Sequence, residues 1–136
     1  MAGYSSTPLA KKLGIKKGHS LVFRKAPADF AQTLEPLPED VRIKVQLRGP
    51  LNVILFFTRR ENELLREFPR LKRSLALSGG LWIAWPKKAS GVPTDLSFDV
   101  VQRMGLGHGL VDNKVCAIDE TWSALRFVFR LKDRRP

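Results

Sequence analysis

Short apolar runs alternate along this chain with stretches whose apolar residues recur every three or four positions, and that succession predicts strands alternating with helices. Leu9 and Leu13 share one face of a short helix introduced by Ser5, Ser6 and Thr7, with Pro8 at its first position and Gly14 as its stop. Leu21, Val22 and Phe23 centre a first strand over 19–25, broken by Ala26, Pro27, Ala28 and Asp29. Asp29 is placed to cap a short helix through Leu34, which Pro36 and Pro38 end. Residues 41–45 alternate, predicting a half-exposed second strand near a sheet edge. Residues 51–57 are almost wholly apolar, the signature of a central parallel strand covered on both faces. Thr58 caps the next helix, on which Leu64, Leu65, Phe68, Leu71 and Leu75 fall at helical spacing before Ser78, Gly79 and Gly80 stop it. Pro69 inside that pattern predicts a kink or two abutting helices. A buried strand over 81–86 follows, then a basic loop and a helix carrying Leu96, Val100, Val101 and Met104 that Gly105 closes. After a glycine-rich connection, strands over 113–118 and 124–131 complete the chain.

Only about five residues join the last two strands, too few for a parallel crossover, so they predict an antiparallel hairpin. The chain therefore reads as a single α/β domain over 1–136, with a mainly parallel six-stranded sheet in three layers. A parallel sheet ending in such a hairpin resembles a trimmed Rossmann-like methyltransferase fold. That resemblance implies the strand order 2-1-3-4-6-5. Three stretches also resemble a bacterial family known as domain of unknown function 3052. They are Gly3-Tyr4-Ser5 with residues 7–14, Trp85-Pro86-Lys87-Lys88-Ala89-Ser90-Gly91, and residues 119–128 from Asp119-Glu120-Thr121-Trp122 onward. The family brings no catalytic residue with it.

Composition narrows the chemistry. Hydrophobic residues make up 43% and charged residues 27%, a balance that suits a packed core. The densest apolar run, 51–57, is far shorter than a membrane span, and the start lacks the pattern of a secretory signal. One cysteine, Cys116, forms no internal disulfide, and together these features point to the cytoplasm. The net charge of +11 suits an anionic partner, although the basic residues are spread along the whole chain.

Two nucleotide-cofactor determinants are missing. The turn after the first strand, residues 24–30, holds a proline and no glycine, and the second strand ends without the acid that would bind ribose hydroxyls. No cofactor is expected. His19, His108 and Cys116 show no metal-ligand spacing, so no metal site is expected either. The strongest polar cluster is the loop after the 81–86 strand. There Lys87 and Lys88 stand beside Ser90, Gly91 and Thr94, where strand ends and helix starts gather ligands. If Ile118 pairs with Ala124, Val115 joins an apolar hairpin face, while Lys114 and Cys116 join Arg126 on a basic one. Lys114 and Arg126 would then extend the anion-binding groove. Asp119 and Glu120 form a paired-acid turn, and Trp122 is placed to stack on a base or anchor a partner.

These readings lead to an expectation: a non-catalytic binding module for an anionic partner, either nucleic acid or a phosphorylated ligand. An enzyme with an unfamiliar site at the carboxyl strand ends, using Asp119 or Glu120 with Lys87, is the alternative. A protein-interaction module with another protein as partner is the third reading.

Overall fold

In a computed structural model, which describes residues 7–134, the apolar runs become β1 (Ser20–Arg24), β2 (Arg42–Lys44), β3 (Leu51–Phe57), β4 (Leu75–Pro86), β5 (Leu110–Ala117) and β6 (Trp122–Phe129). The helices are α1 (Leu9–Lys12), α2 (Phe30–Leu34), α3 (Glu61–Ser74) and α4 (Phe98–Gly107). The Ser5 and Ser6 cap and the Gly3-Tyr4-Ser5 opening lie outside the described residues.

The sheet order is β2-β1-β3-β4-β6-β5. β1 pairs in parallel with β2 and β3, and β3 with β4; β6 runs antiparallel between β4 and β5. Both faces are covered, which gives three layers. On one face α3 and α4 bring Leu64, Phe68, Leu71 and Val101 against Ile54, Phe56, Ile83 and Phe127. On the other, α1 and α2 bring Leu13, Phe30 and Leu34 against Leu55, Phe57, Trp82 and Ala84. Neighbouring residues of β3 and β4 thus point to opposite faces and are buried on both, as an unbroken apolar run requires. Each large side chain so buried contributes about 1.5–3 kcal/mol. Trp82 Nε1 also donates a 3.0 Å hydrogen bond to Leu13 O, tying α1 to the sheet.

Several boundaries differ from the sequence reading. α3 is one continuous helix through Pro69, not two, and it ends at Ser74 rather than at the glycines. Its end is fixed by tertiary packing: Ser74 Oγ donates to Leu47 O at 3.1 Å and is also bonded to Arg70 O at 3.0 Å. Gly49 passes so close that an added Cβ would stand 2.3 Å from Ser74 O. Leu75 therefore opens β4 instead of closing α3. α4 runs through Gly105 to Gly107, and its cap is Ser97, whose side chain accepts from Val100 N. Asp29 holds the cap position of α2 but makes no side-chain cap bond. In the hairpin Cys116, not Ile118, pairs with Ala124, a slip of two residues that leaves each side chain on its expected face. Val115 is nonetheless 55% exposed, because helical cover does not reach that part of edge strand β5. Among the described residues no helix is long and apolar enough to cross a membrane, and no group of three or more metal-ligating side chains gathers.

Candidate functional site

Two clefts open side by side at the carboxyl ends of the parallel strands. The first follows β4. Beyond Pro86, Lys87 N donates to Thr121 O at 2.7 Å, which ties the loop to the β5–β6 turn. A 3-10 turn, Lys88–Ser90, then closes with Gly91 at φ +76°, a left-handed conformation suited to glycine. Ser90 Oγ donates to Lys87 O at 2.6 Å and accepts from Val92 N at 3.2 Å. Ser90 is thus spent on shaping the turn and does not line the cleft. Lys87, Lys88, Gly91 and Thr94 do line it, around a volume of about 590 Å³ walled by Trp85, Pro86, Leu96 and Phe98. Thr94 Oγ1 donates to Arg59 O at 2.7 Å and accepts from Leu96 N at 3.0 Å, so its hydroxyl braces the wall that it helps to line. Neither Thr94 nor Asp95 caps α4. Asp95 Oδ1 instead accepts from Glu61 N at 2.8 Å, capping α3 across the gap.

The second cleft, about 470 Å³, lies at the carboxyl ends of the paired strands β1 and β3, between which the strand order reverses. Lys25, Pro27, Phe57, Thr58, Arg59, Glu63 and Trp122 line it. Glu63 is its one carboxylate: Lys25 Nζ and Thr58 Oγ1 each donate to it at 2.5 Å. Burial pushes the Glu63 carboxyl up, but the bonds from Lys25 and Thr58 and the charges of Lys25 and Arg66 outweigh it, so its pKa falls below the ordinary value. Lys25, Thr58 and Glu63 escaped the sequence reading as a group. The signal that could have found them is the switch-point rule, since β1 and β3 end at Arg24 and Phe57.

The other sequence candidates fall elsewhere. Trp122 reaches the second cleft, edge-on to Phe57 with ring centroids 5.1 Å apart. Asp119 Oδ1 accepts from the backbone N–H groups of Thr121 and Trp122, both at 2.8 Å, so its carboxylate shapes the turn. Neither Asp119 nor Glu120 lines either cleft. Lys114 and Arg126 do pair across the hairpin, yet they do not extend the Lys87 groove. Lys114 Nζ donates to Lys12 O at 2.8 Å, and Arg126 opens into a separate cavity toward the amino ends of the strands. The antiparallel course of β6 carries Arg126 away from Lys87.

No family model and no curated protein matches the chain. Solved structures do match its shape. A TehB-like SAM-dependent methyltransferase from Corynebacterium glutamicum aligns with a TM-score of 0.56 and 11% identity, over 95% of this chain and 91% of its own. A SAM-dependent methyltransferase from Aquifex aeolicus gives 0.58 and 13%, covering 88% and 86%. A methyltransferase from Pyrococcus furiosus gives 0.58 and 13%, covering 93% and 84%. The fold is that of the SAM-dependent methyltransferases. At these identities the likeness speaks for the fold alone. It still corrects the expectation of a non-catalytic module for an anionic partner. The solved structures that share this architecture over nearly the whole chain are described as enzymes, and a missing glycine turn bears on one cofactor, not on catalysis.

That cofactor does not fit the residues present. The turn after β1 carries Lys25 at φ +57° and Pro27 where the fold's ligands need close backbone approach. Phe23, Phe30, Phe57 and Trp122 pack edge to face in an unbroken chain, with each successive pair of centroids 5.1 Å apart. β2 ends in Lys44 without an acid, and Glu63 is already tied to Lys25 and Thr58.

Proposed function

We propose that this chain is an enzyme of the methyltransferase fold that takes a small acid-bearing substrate, a carboxylate or phosphate on an apolar body, into the cleft at the end of β4. One observation carries the reading: Lys87 and Lys88, which the sequence sets at a strand end, rim a cleft of about 590 Å³ with apolar walls and no lining carboxylate. Such walls accept the body of a substrate, and two ammonium groups fix its acid. The stretches that resemble the bacterial domain of unknown function 3052 family supply this rim, through residues 85–91, and one wall, through Ser123. Membership of that family is part of the same proposal.

Methyl transfer is the reaction class that the similar structures bring to this reading. Since adenosylmethionine does not fit the crevice residues, no step is derived through it, and the reaction is identified directly. A thermal-shift screen of small carboxylic and phosphoric acids finds the ligand class. Mass spectrometry of each hit, after incubation with the protein with and without adenosylmethionine, reads its conversion. The expected hit stabilises the protein, loses about tenfold in affinity in Lys87→Ala or Lys88→Ala, and is chemically altered. A hit that binds and is returned unchanged from both mixtures overturns the enzyme reading. Stabilisation that survives both substitutions overturns the cleft. A methylated product establishes methyl transfer and assigns the cofactor to residues outside the usual set.

A further inference from the structure

Toward the amino ends of the strands lies a third cavity of about 380 Å³, lined by Gly14, Lys16, His19, Asn52, Ser78 and Arg126. Ser78 and Lys87 stand nine positions apart along β4 and its exit, about 30 Å at ~3.3 Å per residue, so this cavity is remote from the Lys87 cleft.

Its side chains are rich in hydrogen-bond donors. Arg126 sits half-buried on β6 opposite Trp82, with its guanidinium beside Gly80. A Cβ at Gly80 would stand 2.4 Å from Arg126 Nε and 2.8 Å from Nη2, so the guanidinium occupies the space that a side chain at position 80 would take. Among the described residues the one acceptor that reaches this guanidinium is Asn113 Oδ1, at 3.4 Å, and no carboxylate pairs with it. Burial, then the charge of Arg134, pulls its pKa below the ordinary guanidinium value. His19 Nδ1 accepts from the Lys16 backbone N–H at 3.1 Å, which leaves Nε2 carrying the proton of the neutral ring. Asn52 Oδ1 accepts from Ser20 N at 2.8 Å, which leaves its amide N–H groups as the free end. No aspartate or glutamate lines the cavity.

A half-buried guanidinium with no counter-charge is costly, and a donor-rich cavity without a carboxylate around it is complementary to an anion. From this we infer that the cavity is a site for a small tetrahedral oxyanion, either free phosphate or the phosphate end of a monoester. The planar fork of Arg126 holds two oxygens, and Lys16, His19, Asn52 and Ser78 donate to the rest. The inference is independent of the proposed reaction, because none of these residues lines either carboxyl-end cleft.

Calorimetric titration with inorganic phosphate in dilute chloride buffer tests it. The full chain is expected to bind phosphate, Arg126→Gln to weaken binding about tenfold or more, and Arg103→Ala, an exposed cation on α4 that lines none of the cavities, to leave it unchanged. Should Arg126→Gln fail to fold, Ser78→Asp serves instead: the position is exposed, and the new carboxylate is expected to abolish binding by repulsion while thermal unfolding stays cooperative. Parallel titration with phenyl phosphate separates the sources: equal affinity assigns the site to free phosphate, and tighter binding of the ester assigns it to a monoester. No binding at millimolar phosphate overturns the inference. So does binding that survives Arg126→Gln and Ser78→Asp, or binding lost in Arg103→Ala.

Discussion

Gly105 shows how a single residue can be misread from the chain and then explained by the fold. In the sequence it reads as a helix stop. In the structure it is a buried turn of α4 pressed against Phe127, where an added Cβ would stand 2.0 Å from Cε1 and 2.4 Å from Cδ1. Phe127 cannot retreat, because it is fully buried and packs edge-on against Phe68 at 6.1 Å. Gly105→Ala gains up to about 1 kcal/mol of helix propensity but overpacks a closed core. The overpacking wins, and a net loss of about 2 kcal/mol is expected in urea denaturation. Phe127→Leu placed in the Gly105→Ala background is expected to cost less than it does alone, since the two clashing groups couple. The same logic separates the legible site residues from the rest. Lys87 and Lys88 were visible because a strand end and a turn are local signals. The bracing bonds of Ser90 and Thr94, to Lys87 O and Arg59 O, are not legible in the same way, since the bond to Arg59 joins loops that the sequence holds far apart.

At the scale of elements, periodicity and turn residues located the six strands and four α-helices, and tertiary packing moved their ends. Leu75 continues the helical spacing of Leu64, Phe68 and Leu71, so nothing local announces that β4 begins there. The turn is set by Ser74 bonding to Leu47 O and by the close passage of Gly49. The hairpin register slipped by two residues for a related reason: the period of a strand reports which face a side chain takes, not which partner it meets. Pro69 supplies the test at this scale. It lies inside a continuous α3, where a proline removes one backbone hydrogen bond and crowds the preceding turn, and its side chain is exposed. Pro69→Ala is therefore expected to raise stability by about 1–3 kcal/mol, read as a higher urea midpoint with an unchanged slope. A decrease would mean that the ring contributes packing beside Lys72 and His108 that outweighs the lost hydrogen bond.

For the whole molecule, net charge and the carboxyl-end crevice meet in the response to acid. The chain carries +11 with 13 acidic residues, so protonating any carboxylate adds to an already large self-repulsion. Glu63 weighs most in the crevice. Its folded pKa lies below the ordinary 4.5 because the bonds from Lys25 and Thr58 outweigh the effect of burial. A carboxyl depressed on folding contributes stability that is fully present above its unfolded value and is lost as pH falls through the folded one. Stability is thus expected to decline below about pH 4.5, with Glu63 a named source of the slope. His19 adds to the decline from a higher pH. Burial and the charge of Lys16 hold its folded pKa below 6.5, so the unfolded chain takes up that proton first as pH drops. Urea denaturation of the wild type and of Glu63→Gln across this range separates the two. The stability gap between the proteins is expected to be widest above pH 4.5 and to narrow as the medium becomes more acidic, while the slope that begins near pH 6.5 persists in both. A gap that stays constant through the acid range would show that Glu63 braces α3 by hydrogen bonding alone, with no contribution from its charge. The crevice would then owe its shape to Thr58 and the aromatic chain through Phe57 and Trp122.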